Sequence, residues 1–230
     1  MHLEDETALV TGASKGIGKA CALALAAEGA KIALVARGED ELEEAAAEIR
    51  KAGVRAVTIA GDVGDEAFAA RAYERAEREL GAVTVLVNSA GIVEVAPVAR
   101  LSLEAWERVL RVNLTGSFLF AREAVRHMVP RRKGRLIFLS SISATLGTPG
   151  MSAYCASKWG LHGLIKSLAE ELRETGVLTF GVAPGSVDTE MLRRSGFPPD
   201  MRPDDVAGLV RYLATVAPAA MQGSIVQIFG

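Results

Sequence analysis

Tyr154 and Lys158 stand four residues apart in Tyr154-Cys155-Ala156-Ser157-Lys158, a spacing that sets a phenol and an ammonium on one face of a helix. A free phenol titrates near about 10 and is a poor base at neutral pH until a neighbouring cation favours its ionised form. At an assumed separation of ~4 Å and an effective dielectric of ~20, that attraction reaches roughly 4 kcal/mol, or about three pKa units. The tyrosine would then titrate near working pH, where general acid/base catalysis is most effective. On its own such a pair is more often a surface decoration. Ser141 adds weight, because it follows a strand expected over Arg135–Ser140, and ligands collect at the carboxyl ends of parallel strands. Its hydroxyl can hold a substrate carbonyl. Asn113 interrupts a helical pattern over Leu103–Met128, and its amide, or a carbonyl freed there, can hold a water.

A second cluster is built to hold an anion. The strand expected at Thr7–Thr11 runs into Gly12-Ala13-Ser14-Lys15-Gly16-Ile17-Gly18 and then an Ala-rich helix, Gly16–Glu28. Glycines let backbone amides approach a pyrophosphate without an intervening Cβ, and the helix N-terminus adds partial positive charge. The spacing is Gly-x3-Gly-x-Gly, within the strand, loop and helix context of a dinucleotide site. After the second strand, where an NAD-binding fold would offer an acid to the ribose 2′-hydroxyl, the chain has Arg37. A guanidinium suits a 2′-phosphate, and Lys15 is a second cation on that side, so NADP(H) is the expected cofactor. The alternative for Arg37 is a surface pair with Glu39 or Asp40. Asp62, closing the third strand, is placed either to accept from an adenine amino group or to cap the next helix.

These groups must be positioned by a repeating scaffold. Apolar, β-branched runs at Thr7–Thr11, Lys31–Ala36, Arg55–Ala60, Val83–Asn88, Arg135–Ser140, Leu178–Ala183 and Ser224–Phe229 read as seven strands. Helical patterns lie between them near Gly16–Glu28, Glu39–Lys51, Asp65–Leu80, Leu103–Met128, Ser152–Glu174 and Pro203–Val216. The alternation predicts right-handed βαβ units, and strands apolar along their length predict a sheet covered on both faces. The expected fold is therefore α/β, a doubly wound Rossmann-type three-layer arrangement with a seven-stranded parallel sheet, as one domain over 1–230. The Pro-rich loop Gly196-Phe197-Pro198-Pro199 falls late, where such folds carry specificity.

The 230 residues are half apolar with a formal net charge of −2, which gives no general attraction to nucleic acid or anionic membranes. No run is long and apolar enough for a membrane span, and the acidic start is not a secretion signal, so a cytoplasmic protein is expected. Cys21 and Cys155 read as helix residues rather than a disulfide or zinc site, and His2, His127 and His162 have no ligand spacing, so no metal is expected.

Taken in order, Thr11-Gly12-x3-Gly16-Ile17-Gly18, Asp62-Val63, Asn88-Ser89-Ala90-Gly91, Asn113, Ser141, Tyr154-x3-Lys158 and Pro184-Gly185-x-Val187-x-Thr189 resemble the short-chain dehydrogenase/reductase family over essentially the whole chain. The resemblance implies that Tyr154 gives or takes the proton, Ser141 positions the carbonyl oxygen, Lys158 holds the nicotinamide ribose and lowers the tyrosine's pKa, and Asn113 keeps a water in the relay. It places Gly12, Ser14, Lys15, Gly16, Ile17, Gly18, Arg37, Asp62, Val63, Asn88, Ala90, Gly91, Pro184 and Gly185 at the cofactor, with Thr189 and the backbone of Val187 on the nicotinamide carboxamide. Ser89 replaces a more usual asparagine, and the stretch Glu190–Met201 is short for a substrate lid.

The implied activity is interconversion of a small carbonyl compound and its alcohol. A 3-oxoacyl thioester reductase is the runner-up, and a non-catalytic NADP(H) sensor is disfavoured by the intact tyrosine and lysine. The resemblance also implies a homodimer or homotetramer through the two long helices, and covered far faces at Phe118, Phe120, Leu164 and Leu168 would weaken that expectation.

Overall fold

The computed structural model describes residues 2–195 and 197–230. Its sheet has seven strands: β1 Thr7–Thr11, β2 Lys31–Ala36, β3 Ala56–Ala60, β4 Val83–Asn88, β5 Gly134–Leu139, β6 Val177–Pro184 and β7 Ile225–Ile228. Every neighbouring pair is parallel, in the order β3-β2-β1-β4-β5-β6-β7. The chain winds outward from β1 to β3, then returns to lay β4 on the other side of β1. That reversal separates the connections leaving β1 and β4, and the crevice between them is where this class of sheet binds ligands.

Helices cover both faces. On one side α1 Gly16–Ala27, α2 Glu39–Lys51 and α8 Pro203–Thr215 bury Leu25, Leu42, Ile49, Val206, Val210 and Leu213 against Val10, Leu34, Ile137 and Phe180. On the other, α3 Glu66–Leu80, α5 Gly116–Arg131 and α6 Ser152–Glu171 bury Tyr73, Phe120, Met128, Leu161 and Ile165 against Leu9, Val35, Leu86 and Phe138. Buried positions of α1 are mostly small, Gly18, Ala20, Cys21, Ala22 and Ala26, so this helix lies close to the sheet and its first turn is held over the end of β1.

The sequence expectation of one helix over Leu103–Met128 is corrected. The chain forms α4 Leu103–Leu110, a π-helical turn Arg111–Thr115 centred on Asn113, and then α5. The cause is local: the Asn113 side chain bonds outward to another segment, and the wider turn lets its Cα stand where those bonds can be made. The stretch after Thr189, expected to be short for a substrate lid, has defined structure at its two ends. It forms a short helix, α7 Glu190–Ser195, and returns to its origin through a bridge between Val187 and Met201, with the Asp188 amide donating to the Met201 carbonyl at 2.9 Å.

Asp65, not Asp62, caps α3, its carboxylate accepting from the Phe68 amide at 2.9 Å. Asp65→Ala should lower stability by about 1 kcal/mol, read as a lower urea midpoint at unchanged m-value.

Candidate functional site

The glycine loop is placed by two contacts. Gly12 has φ +68°, and a Cβ there would lie 2.8 Å from the Ala90 backbone; a Cβ on Gly18 would lie 2.2 Å from the Gly12 carbonyl oxygen. Both approaches require glycine. The Thr11 hydroxyl, fully buried at the end of β1, accepts from the Ser89 and Ala90 amides at 3.1 and 3.2 Å. It thereby fastens the segment after β4 to the segment after β1. The sequence places Thr11 at the end of β1 and at the head of the glycine motif without a role for its hydroxyl; a hydroxyl closing an otherwise apolar buried strand is the available signal.

Between these loops runs a groove of about 790 Å³, lined by Gly12, Ser14, Lys15, Gly16, Ile17, Gly18, Arg37, Asp62, Val63, Ala90, Gly91, Tyr154, Lys158 and Thr189 among others. Lys15, the N-cap of α1, makes no side-chain cap, and the first turn holds no acidic residue, so the helix terminus presents its amides to the groove. The donor set and the glycine walls fit a dinucleotide's pyrophosphate. Four residues expected at the cofactor sit elsewhere. Pro184, Gly185 and Val187 line a second cavity. Asn88 is buried beneath the site, its amide donating to the Ser117 carbonyl at 3.3 Å, and so supports the groove without lining it.

The charges at the adenosine end are not arranged as the sequence implied. Lys15 is paired with Glu190 on α7 and Lys19 with Glu48, whereas Arg37 has no acidic partner among the described residues, neither Glu39 nor Asp40 included. One unpaired guanidinium therefore faces that end where two cations were expected. Asp62 accepts from the Gly64 amide at 2.9 Å and pairs with Arg111 at 2.9 Å, which pins the third loop beside the π turn.

At the opposite end, Lys158 is buried and donates to the Leu139 carbonyl at 2.7 Å, with its Nζ 5.6 Å from the Tyr154 ring centre. Burial pushes its pKa down to about 8. Burial likewise raises the Tyr154 phenol, against a smaller lowering by a hydrogen bond with Ser141. The expected depression of the phenol by Lys158 is thus corrected for this state: the ammonium is turned to a main-chain carbonyl, and desolvation dominates.

The Asn113 amide is likewise committed. Its Oδ1 accepts from the Ile92 amide at 2.8 Å, and its Nδ2 donates to the Ile92 carbonyl at 2.9 Å and to Ser157 Oγ at 3.0 Å. Ser157 in turn donates to the Tyr154 carbonyl at 2.7 Å. Asn113 therefore ties the β4 loop to the first turn of α6, leaving no side-chain donor for a water; its main-chain carbonyl accepts from the Ser117 hydroxyl at 2.9 Å. Ser157 was not foreseen, although it lies inside the Tyr-x3-Lys segment.

The second cavity, about 370 Å³, meets the groove at Ile17, Ser140, Tyr154, Thr189 and Met191, which line both. Ser141 opens onto it, its Oγ also accepting from the Ser143 amide at 3.1 Å. Ser140, likewise unforeseen, has a buried hydroxyl with no hydrogen-bond partner among the described residues. Thr189 accepts from the Leu192 amide and donates to the Val187 carbonyl, each at 3.2 Å, and so starts α7. Phe197, from the Pro-rich loop whose Gly196 lies outside the described residues, stands half-exposed at the rim with Leu146. No three His, Cys, Asp or Glu side chains among the described residues gather to hold a metal ion, and no helix there is long and apolar enough to cross a membrane.

A groove that opens over the carboxyl edge of a parallel sheet, at the reversal of strand order and against a glycine-walled helix start, defines a Rossmann-type dinucleotide-binding protein. The family model for short chain dehydrogenases matches residues 6–197, and the chain belongs to that family of oxidoreductases. It is 36% identical over 228 residues to a 3-oxoacyl-[acyl-carrier-protein] reductase from Synechocystis, covering 95% of this chain and 92% of that one. It is also 36% identical to a cis-4-hydroxycyclohexanecarboxylate dehydrogenase from Sinomonas cyclohexanicum, covering 98% and 96%. The crystal structure of a short-chain type dehydrogenase/reductase from Mycobacterium marinum superposes with a TM-score of 0.94 at 35% identity, covering 99% and 95%.

The Lys158 ammonium weakens the fold at neutral pH. With its pKa pushed down to about 8 from an unfolded value of about 10.4, the cost is fully present below pH 8 and fades as pH rises toward the unfolded value, because the unfolded chain holds the proton more tightly. Lys158→Met should therefore stabilise the protein at pH 7 by on the order of 1–2 kcal/mol, after allowance for the stranded Leu139 carbonyl. Urea unfolding at pH 7 and near pH 10 tests this, with a smaller gain expected at the higher pH.

Proposed function

We propose that this protein is an NADP(H)-dependent oxidoreductase that interconverts a carbonyl and a secondary alcohol, with Tyr154 as the proton donor and acceptor. The observation that carries the reading is that Tyr154 belongs to both walls, at the one place where the groove opens into the second cavity. A cofactor and a substrate filling those spaces would meet at its hydroxyl. A bound nicotinamide would supply or accept the hydride.

The chain's own residues divide the remaining work. Ser141, which lines the second cavity together with Tyr154, orients the substrate oxygen. Tyr154, with its pKa raised by burial, is protonated at neutral pH and so is ready to give its proton to a carbonyl oxygen. The reverse direction calls for the phenolate and is favoured by raised pH. Lys158, freed from the Leu139 carbonyl, would hold ribose hydroxyls and bring its charge toward the phenol. Asn113 acts by fixing the first turn of α6 against the Ile92 backbone, and a water in the relay would rest on its main-chain carbonyl rather than its amide.

The choice of NADP(H) rests on Arg37, the unpaired guanidinium of the groove; Lys15 would have to leave Glu190 to join it. The glycine loop, Asp62, Val63, Ala90 and Gly91 would hold the rest of the nucleotide, with Thr189 and Val187 at its nicotinamide end. Reduction of a 3-oxoacyl thioester is the second reading, favoured by what the Synechocystis relative acts on. A homo-oligomer has partial support: Phe120 is buried within the chain and Leu164 and Leu168 are half-buried, but Phe118 on α5 and Trp159 on α6 remain exposed.

Tyr154→Phe should remove most turnover, on the order of 10²–10⁴-fold, with NADPH affinity nearly unchanged, as measured by fluorescence titration beside steady-state kinetics; unchanged turnover would remove Tyr154 from the mechanism. Arg37→Asp should move the preference from NADPH toward NADH by about 10- to 100-fold, the scale of one charge-assisted hydrogen bond, and competitive titration of the two cofactors reads it directly.

A further inference from the structure

The walls of the second cavity carry more information than the site's chemistry requires. Among its described lining residues none is charged. The polar groups cluster at the end where Ser141 and Tyr154 meet the groove, with Ser143 and Thr148 beyond them, their hydroxyls paired weakly at 3.5 Å. The body of the cavity is Val93, Ile142, Met151, Met191 and Leu192, and it opens at Leu146 and Phe197. The charged residues nearest in the chain whose side chains are described are used elsewhere. Asp188, Glu190 and Arg193 line the groove instead; Asp188 pairs with Arg193 at 3.1 Å and Glu190 with Lys15.

We infer that the substrates of this site are uncharged ketones with an apolar alkyl, alicyclic or aryl body, and that the site rejects ketones bearing a carboxylate or phosphate within the cavity. The inference rests on the carbonyl–alcohol reading above and narrows it. Its physical basis is the cost of desolvating an anion with no partner: an ionised carboxylate in an apolar pocket must find a cation, recruit water or stay outside. The cavity's described polar lining is hydroxyls and backbone, with no cation to pair an anion. Its volume of about 370 Å³ lies toward the lower end of the roughly 300–1,000 Å³ of ligand pockets, so the ketone is compact or leaves part of its body at the rim beside Leu146 and Phe197. Two methionines in the wall, with several rotatable bonds each, let it accept bodies of different shape.

The test is a set of pairs in which one methyl is replaced by a carboxylate on the same ketone skeleton: p-methylacetophenone against p-acetylbenzoate, and an octanone against the oxo-octanoate in which its terminal methyl becomes a carboxylate. Two readouts are taken on the NADPH-loaded protein, kcat/KM for NADPH oxidation and ligand binding by change in NADPH fluorescence. A preference of about 100-fold or more for the neutral member in both pairs is expected, a magnitude set by the desolvation of an unpaired carboxylate. Thr148→Arg, which places a cation in the wall, should narrow that ratio about tenfold.

Equal or better use of the carboxylates, or binding of neither member, overturns the inference. Turnover of both members alike would leave the carbonyl–alcohol reading standing while this one falls. Selective binding of the neutral ketones without turnover would do the opposite, supporting the pocket's charge preference and sinking the proposed reaction.

Discussion

The close approach of Gly12 to Ala90 is the contact on which the rest of the site depends. β1 and β4 are neighbours in the sheet, yet the segments leaving them must part to make room for a ligand, so they touch once before diverging. A methyl group at Gly12 would collide with the Ala90 backbone, and the Thr11 hydroxyl bonds the two amides that follow β4. With that junction fixed, α1 starts where its amides face the groove, and Gly91 stands beside Asn113 and Lys158. Asn113 then carries the same reference point, through the Ile92 backbone and Ser157, to the first turn of α6. A chain of backbone contacts thus joins the phosphate end of the groove to Tyr154.

The same region contains the least favourable burial in the protein. Lys158 is 5% exposed and its ammonium donates to the neutral Leu139 carbonyl, a poor exchange for the hydration of an ammonium. The fold tolerates the cost because two extensive apolar layers surround the sheet. Destabilised charges of this kind concentrate at functional sites, and this one lines the groove.

Much of this was legible in the residues. The alternation of short apolar runs with helical patterns gave all seven strands and their parallel arrangement, because a fully buried strand leaves an unbroken apolar signature. The glycine loop was legible because backbone approach requires a specific residue type. Side-chain partners were not. The pairing of Lys15 with Glu190 joins positions 175 residues apart, and whether Lys158 turns toward the phenol or toward Leu139 depends on a carbonyl at the end of β5. The break of the long helix at Asn113 was signalled by the residue, but its form as a π turn follows from the bonds to Ile92, a distant partner. The roles of the Thr11, Ser140 and Ser157 hydroxyls were not legible, because serine and threonine are common in strand ends and helices, and only the neighbours distinguish a working hydroxyl from an ordinary one.

The groove and the second cavity are separated by no wall of their own. Ile17, Ser140, Tyr154, Thr189 and Met191 line both, so a molecule resting in either becomes part of the surface that the other presents. Two ligands in such spaces share contact area, and the apolar face of one completes an enclosure for its neighbour. Their affinities are then linked, and by thermodynamic necessity each changes the other's by the same factor. Substitutions at these shared residues act on a joint surface, and an affinity measured at one cavity describes the state of both.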